Sequence, residues 1–120
     1  MKRCFIFFSH QLTEKQTQEI RNDLKCDEII YLPKDLQYKW SNVEDDSFDK
    51  ISNFLKEKSQ NDDYALIQGE WGLTYKMINF AKEIGVNPIY AKTKREAIEE
   101  KDGEKIKKIS YFEHIKFEKY

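Results

Sequence analysis

"YALIQGEWGLTY", Tyr64 to Tyr75, is the stretch on which the fold turns. Its first part, Tyr64 to Gln68, is a short apolar run of the kind that forms a strand covered on both faces. Gln68-Gly69-Glu70-Trp71-Gly72 then breaks the run, and Leu73, Met77, Ile78, Phe80, Ala81 and Ile84 follow at helical spacing, with Gly85 suited to the C-cap. A strand handing over to a helix through two glycines predicts a β-turn-α unit whose backbone N–H groups can hold an anion. The turn is neither GxGxxG nor a Walker loop, so it does not predict a dinucleotide or nucleoside triphosphate site. A tight turn that holds nothing explains the glycines equally well.

The same alternation extends in both directions. Upstream, Cys4 to Phe8 reads as a first strand and Ser9 to Leu12 as its exit loop. Thr13 and Gln16 read as a capping box opening a helix that buries Ile20 and Leu24. Glu28 to Leu32 is a second strand stopped by Pro33, and Leu36 and Trp40 share a face of the helical turn that follows. After the acidic loop Glu44-Asp45-Asp46, Ser47 reads as an N-cap for a helix carrying Phe48, Ile51, Phe54 and Leu55. Downstream, Pro88 to Ala91 is a fourth strand. Asp102-Gly103 signals a two-residue hairpin turn, placing Lys101 opposite Glu104 and Glu100 opposite Lys105. Ile109, Tyr111, Ile115 and Phe117 alternate as the buried face of a last strand.

The order β-α-β-α-α-β-α-β plus a hairpin predicts a small Rossmann-like α/β domain. It has a mainly parallel sheet, helices on both faces and an antiparallel hairpin at one edge. At 120 residues the chain makes one domain, residues 1–120. With 36% charged and 39% hydrophobic residues it is globular, and a net charge of -1 argues against a duplex-DNA binder. Cys4 and Cys26 form no CxxC or Cys/His cluster and read as apolar filler, which fits a reducing cytoplasm. No run is long enough to span a membrane, and the apolar start ends at Ser9-His10, short of a signal peptide. A soluble cytoplasmic protein is expected. Neither a cofactor nor a metal site is expected, because no ligand spacing occurs.

Ligands of an open parallel sheet bind beyond the carboxyl ends of its strands. That rule selects Ser9-His10, the Tyr31 to Pro33 exit, the Gln68 to Gly72 turn with Thr74, and a fourth loop from Lys92 to Arg95. Ser9 and His10 are a nucleophile-base pair, a pair of ligand contacts, or a loop hydroxyl beside a surface imidazole. Trp71 either stacks on a base or caps the core. Lys92-Thr93-Lys94-Arg95 is the one compact cationic cluster in those loops, with Arg95 able to grip a phosphate bidentately and Lys94 to supply a point charge. They suit a phosphate, unless Glu96, Glu99 and Glu100 partner them. His114 reads as structural or exposed.

"FFSHQLTEKQ", "IIYLPKDLQYKW", "YALIQGEWGLTY", "PIYAKTKREAIEE" and "HIKFEKY" together resemble the small CRISPR-associated proteins numbered twenty in the Csx series. The likeness runs in order along nearly the whole chain. It implies a CARF-like domain acting as a ring nuclease. Such an enzyme linearises cyclic oligoadenylate, most often the tetra-adenylate, without metal and as a homodimer, switching off type III CRISPR signalling. The expected reaction is attack of a ribose 2′-hydroxyl on the adjacent phosphorus, giving a 2′,3′-cyclic phosphate. On this reading Ser9, His10, Lys94 and Arg95 are catalytic, while Gln68, Gly69, Glu70, Trp71, Gly72, Thr74 and Thr93 bind the ligand. Two alternatives stand beside it. One is a module that sequesters cyclic oligoadenylate without cutting it. The other is a nucleoside deoxyribosyltransferase-like N-glycosidase with Glu70 as nucleophile.

Overall fold

A computed structural model describes all residues, Met1 to Tyr120. The elements run β1 (Arg3–Phe8), α1 (Glu14–Gln18) with a π turn (Glu19–Asp23), β2 (Glu28–Tyr31), α2 (Lys34–Ser41), α3 (Ser47–Lys58), β3 (Tyr64–Gln68), α4 (Trp71–Glu83), β4 (Asn87–Asp102) and β5 (Lys105–Lys119). All five strands share one sheet in the order β2-β1-β3-β4-β5. The first four are parallel, and β5 is antiparallel to β4. The expected α/β class and closing hairpin are both present. No helix is long and apolar enough to cross a membrane.

Two apolar layers sandwich the sheet. Phe5, Phe7, Ala65 and Ile67 point to one side, where Leu36 and Trp40 of α2, Ile51 and Leu55 of α3, and Leu73, Met77 and Ala81 of α4 cover them. Cys4, Ile6, Leu66, Ile89, Ala91 and Phe117 point to the other side, with Ile20 and Cys26. Both cysteines are free and buried. At about 25 cal/mol per Å2 of apolar surface removed from water, these layers dominate the stability.

Five local expectations are corrected. The first helix gives way to a π turn after one capped turn, with the capping box of Thr13 and Gln16 intact. Ser47 does not cap α3: its hydroxyl accepts from the Glu44 N–H and donates to the Lys39 carbonyl, both at 2.9 Å. Asp46 stands at the cap, its carboxylate 2.8 Å from Lys39 Nζ and 3.3 Å from Lys50 Nζ. Helix α4 starts at Trp71, so Gly72 lies inside it.

The hairpin loop is Gly103-Glu104, with Asp102 opposite Lys105 and Glu100 opposite Lys107. Gly103 has φ +64° and Glu104 does not share a positive φ, as a Gly-first loop requires. Lastly, β4 runs on to Asp102, so Lys92 to Arg95 are strand residues and no loop. The ladder slips between Lys92 and Thr93, where Lys92 faces Lys116 and Thr93 faces His114. Ile115 is therefore the extra residue of a β-bulge, which reverses the alternation of β5. Phe117 is buried on the α1 side, while Ile109 and Tyr111 lie on the opposite face.

Candidate functional site

The order β2-β1-β3-β4 reverses direction between β1 and β3, which makes a topological switch point at their carboxyl ends. Two cavities open there, one on each side of the loop leaving β1. The first, about 450 Å3, lies between α1, the end of β3 and the root of the β4–β5 ribbon, and includes His10, Gln11, Gln68, Thr93, Phe112 and His114 in its wall. The second, about 480 Å3, lies between the exit loop and α2, against Ser9, Tyr31, Gln37, Trp40 and Ser41. Both volumes fall within the range of about 300–1,000 Å3 usual for small-molecule sites. His10 and Gln11 line both.

The first cavity exists because β4 leaves β3 early. Their pairing ends at Leu66–Ile89, and side chains take over the unpaired groups beyond it. Gln68 Oε1 accepts from the Ala91 N–H at 2.9 Å, and the Tyr120 hydroxyl donates to the Ile67 carbonyl. On the far side, Glu19 performs the same service for the bulge. Its Oε2 accepts from the Phe117 N–H and its Oε1 from His114 Nε2, both at 2.7 Å. Gln16 completes the chain: Oε1 accepts from the Thr13 N–H, so Nε2 is the group facing His114 Nδ1 at 3.4 Å. His114 is thus held at both ring nitrogens, between Gln16 and Glu19. At the ribbon root the Tyr90 hydroxyl donates to Glu118 at 2.8 Å. That bond raises the tyrosine above its ordinary pKa and holds the carboxylate below its own.

The expected site residues divide. His10, Gln68 and Thr93 meet at the first cavity. Ser9 turns away, its hydroxyl 3.2 Å from that of Ser41, while the His10 ring packs edge-on against Phe8 with centroids 5.1 Å apart. They form no nucleophile-base pair, and both His10 nitrogens lack protein partners. Thr93 and Arg95 share the cavity face, and the Arg95 guanidinium lies 5.9 Å from the Phe112 ring centroid and 3.2 Å from the Ser110 hydroxyl. Lys94 lies on the opposite face of the strand, 3.8 Å from Glu96. Strand alternation therefore splits the expected cationic cluster.

The glycine turn serves the fold. Glu70 is the N-cap of α4, and its carboxylate accepts from the N–H groups of Gly72 and Leu73, the very donors an anion would need. Gly69 is there because the Trp40 indole crosses it. A Cβ would stand 2.7 Å from Trp40 Nε1, which donates to the Gln68 carbonyl at 3.2 Å. Trp71 is 91% exposed and caps no core. The Thr74 hydroxyl is buried without a partner.

Gln11, Gln16, Glu19 and Phe112 were not expected at a site. Gln16 shows in the sequence only as a helix cap. Glu19 reads as solvated helix surface until the bulge brings Phe117 to it. No cluster of three or more His, Cys, Asp or Glu side chains is placed to hold a metal ion.

A family model described as "Uncharacterized protein MJ1673 family" matches residues 2–118. A protein of Methanocaldococcus jannaschii described as "Uncharacterized protein MJ1673" is 47% identical over 127 aligned residues, covering 100% of this chain and 98% of the relative. No solved structure matches the chain significantly.

Proposed function

The chain belongs to the MJ1673 family, a membership that leaves the substrate to be argued from the site, and we propose that it is a metal-independent ring nuclease for cyclic oligoadenylate. The sheet is read as Rossmann-like, of the CARF type that senses such rings, and the protein as a cytoplasmic homodimer that ends type III CRISPR signalling. The observation that carries the proposal is the first cavity. It lies at the switch point and offers amide, hydroxyl, imidazole and aromatic groups. No carboxylate lines it, Glu19 behind His114 is already engaged twice, and Arg95 lies beside Phe112 at its edge. Such a lining suits a base and ribose next to a phosphate.

In the reaction the ribose 2′-oxygen bonds to the adjacent phosphorus and the bond from phosphorus to the 5′-oxygen breaks. One product end carries a 2′,3′-cyclic phosphate and the other a 5′-hydroxyl. His10 is the imidazole with free nitrogens, able to take the 2′-proton or return one to the leaving oxygen. Arg95 stabilises the charge on phosphorus. Phe112 offers a face to adenine, and Lys94 has no part at this cavity.

The test is incubation of labelled cyclic tetra-adenylate with the protein in EDTA. Linear products ending in 2′,3′-cyclic phosphate are expected. His10→Ala should lower single-turnover cleavage by about 100- to 10,000-fold while binding persists. An intact ring after long incubation would overturn the nuclease reading. The absence of a preassembled Ser9–His10 pair favours a second reading, a module that sequesters the ring. Stoichiometric binding without turnover would establish it.

A further inference from the structure

Beyond the bulge, β4 and β5 leave the body as a bare ribbon, paired from Thr93–His114 to Asp102–Lys105. A two-stranded ribbon is marginally stable by itself in water. This one nevertheless carries Ile98, Ile109 and Tyr111 on the face turned away from the first cavity. Ile98 lies opposite Ile109, and Ile98 and Tyr111 are 45% and 54% exposed. Lysines along β5 discourage pairing at its free edge, so the broad face is the surface left for contact.

The charges on that face follow a pattern. From the body outward, β4 shows Lys92, Lys94, Glu96, Glu100 and Asp102, positive at the root and negative at the tip. Beyond the bulge, strand β5 shows the reverse, Glu113 at the root and Lys107 and Lys105 at the tip, while before the bulge Lys116 stands beside Lys92. Turn a second ribbon by a half rotation about an axis through Ile98 and Ile109, and lay it face to face on the first. Lys94 then meets Asp102 of the second copy, Glu113 meets Lys105, and the isoleucines meet their own counterparts. Glu96 against Glu100 is the one like-charge meeting, and Glu96 already has Lys94 at 3.8 Å. Sheets packed this way lie about 10 Å apart, a gap that the paired isoleucines fill, with Tyr111 lying along the stem of Lys107 of the second copy, and that lysine-carboxylate pairs span.

We propose that this face of the ribbon is the interface through which two copies of the chain pair, arms antiparallel, with Ile98, Ile109 and Tyr111 at its core and complementary charges at its rim. The interface does not depend on what the cavity holds, because Phe112, Thr93 and His114 face the other way.

The test uses charge exchanges that keep net charge and the cross-strand pairing within each arm. Lys94→Glu with Glu113→Lys exchanges the root pair, and Asp102→Lys with Lys105→Glu exchanges the tip pair. Sedimentation equilibrium of the full chain without nucleotide should give a dimer for the parent. Either exchange alone should weaken it at least about tenfold. A chain with both exchanges should dimerise like the parent, and mixing the two single exchanges should give a mixed dimer by native mass spectrometry. A monomeric parent, exchanges without effect, or failure of the double exchange to recover would each overturn the proposal. Ring cleavage by a monomeric parent would overturn it while leaving the nuclease reading intact.

Discussion

Gly69 shows how a residue can be legible as important and misleading as to why. Two glycines after a strand suggest an anion site, yet the space a Cβ would need at Gly69 belongs to the Trp40 indole. Gly69→Ala should therefore cost about 1–3 kcal/mol through displaced packing, read as a lower denaturant midpoint with unchanged slope. The same substitution should leave nucleotide affinity nearly unaltered. Glu70 is a second instance: read from the sequence as a ligand contact, it closes the helix end itself. Sequence spacing placed both residues correctly on the chain. Only the partner twenty-nine positions away, at Trp40, decides what Gly69 is for.

At the scale of elements, strands whose side chains are buried on both faces were legible, because β1 and β3 are short uninterrupted apolar runs. The extension of β4 was not legible. Thr93 to Asp102 is almost wholly polar, and its strand conformation comes from pairing with β5 and not from any buried face of its own. The bulge at Ile115 was invisible for a related reason, since one inserted residue resets a period of two without leaving a mark in composition. Glu19 compensates for that bulge. Glu19→Ala leaves the Phe117 N–H and His114 Nε2–H without acceptors in a buried place, and should cost about 2–4 kcal/mol in chemical denaturation. Glu19→Gln, which keeps one acceptor oxygen, should recover part of that loss. The site was legible to the extent that the strand-end rule found His10, Gln68 and Thr93. It misplaced Lys94 because a loop was read where a strand continues.

For the whole molecule, ionisation bounds the stable range on both sides. Asp46 is held below its ordinary pKa by the hydrogen bond from Lys39, and Glu118 by that from Tyr90. Groups lowered in the folded state stabilise it above their unfolded pKa, near 4, and that contribution is lost as pH falls through the folded values. Tyr120 is raised by burial and Tyr90 by its bond to Glu118. Their contribution is complete below about pH 10 and is lost as pH rises through the folded values. The melting temperature should accordingly form a plateau that falls below about pH 4 and above about pH 10. Asp46→Asn should flatten the acid limb and Tyr120→Phe the alkaline one. Limbs of unchanged shape in both variants would refute this account.

The bonds from Glu19 to His114 and Phe117 join residues 95 and 98 positions apart. The π turn after α1 thus waits for the last strand. While the chain is being made on a ribosome, the Glu19 carboxylate lacks both of these partners until residue 114 has emerged, and the second until residue 117 has. Premature termination short of His114 would leave the Glu19 carboxylate without either partner beside the unfinished apolar layer. Quality control would then see an all-or-none molecule, complete and closed or exposed and degradable.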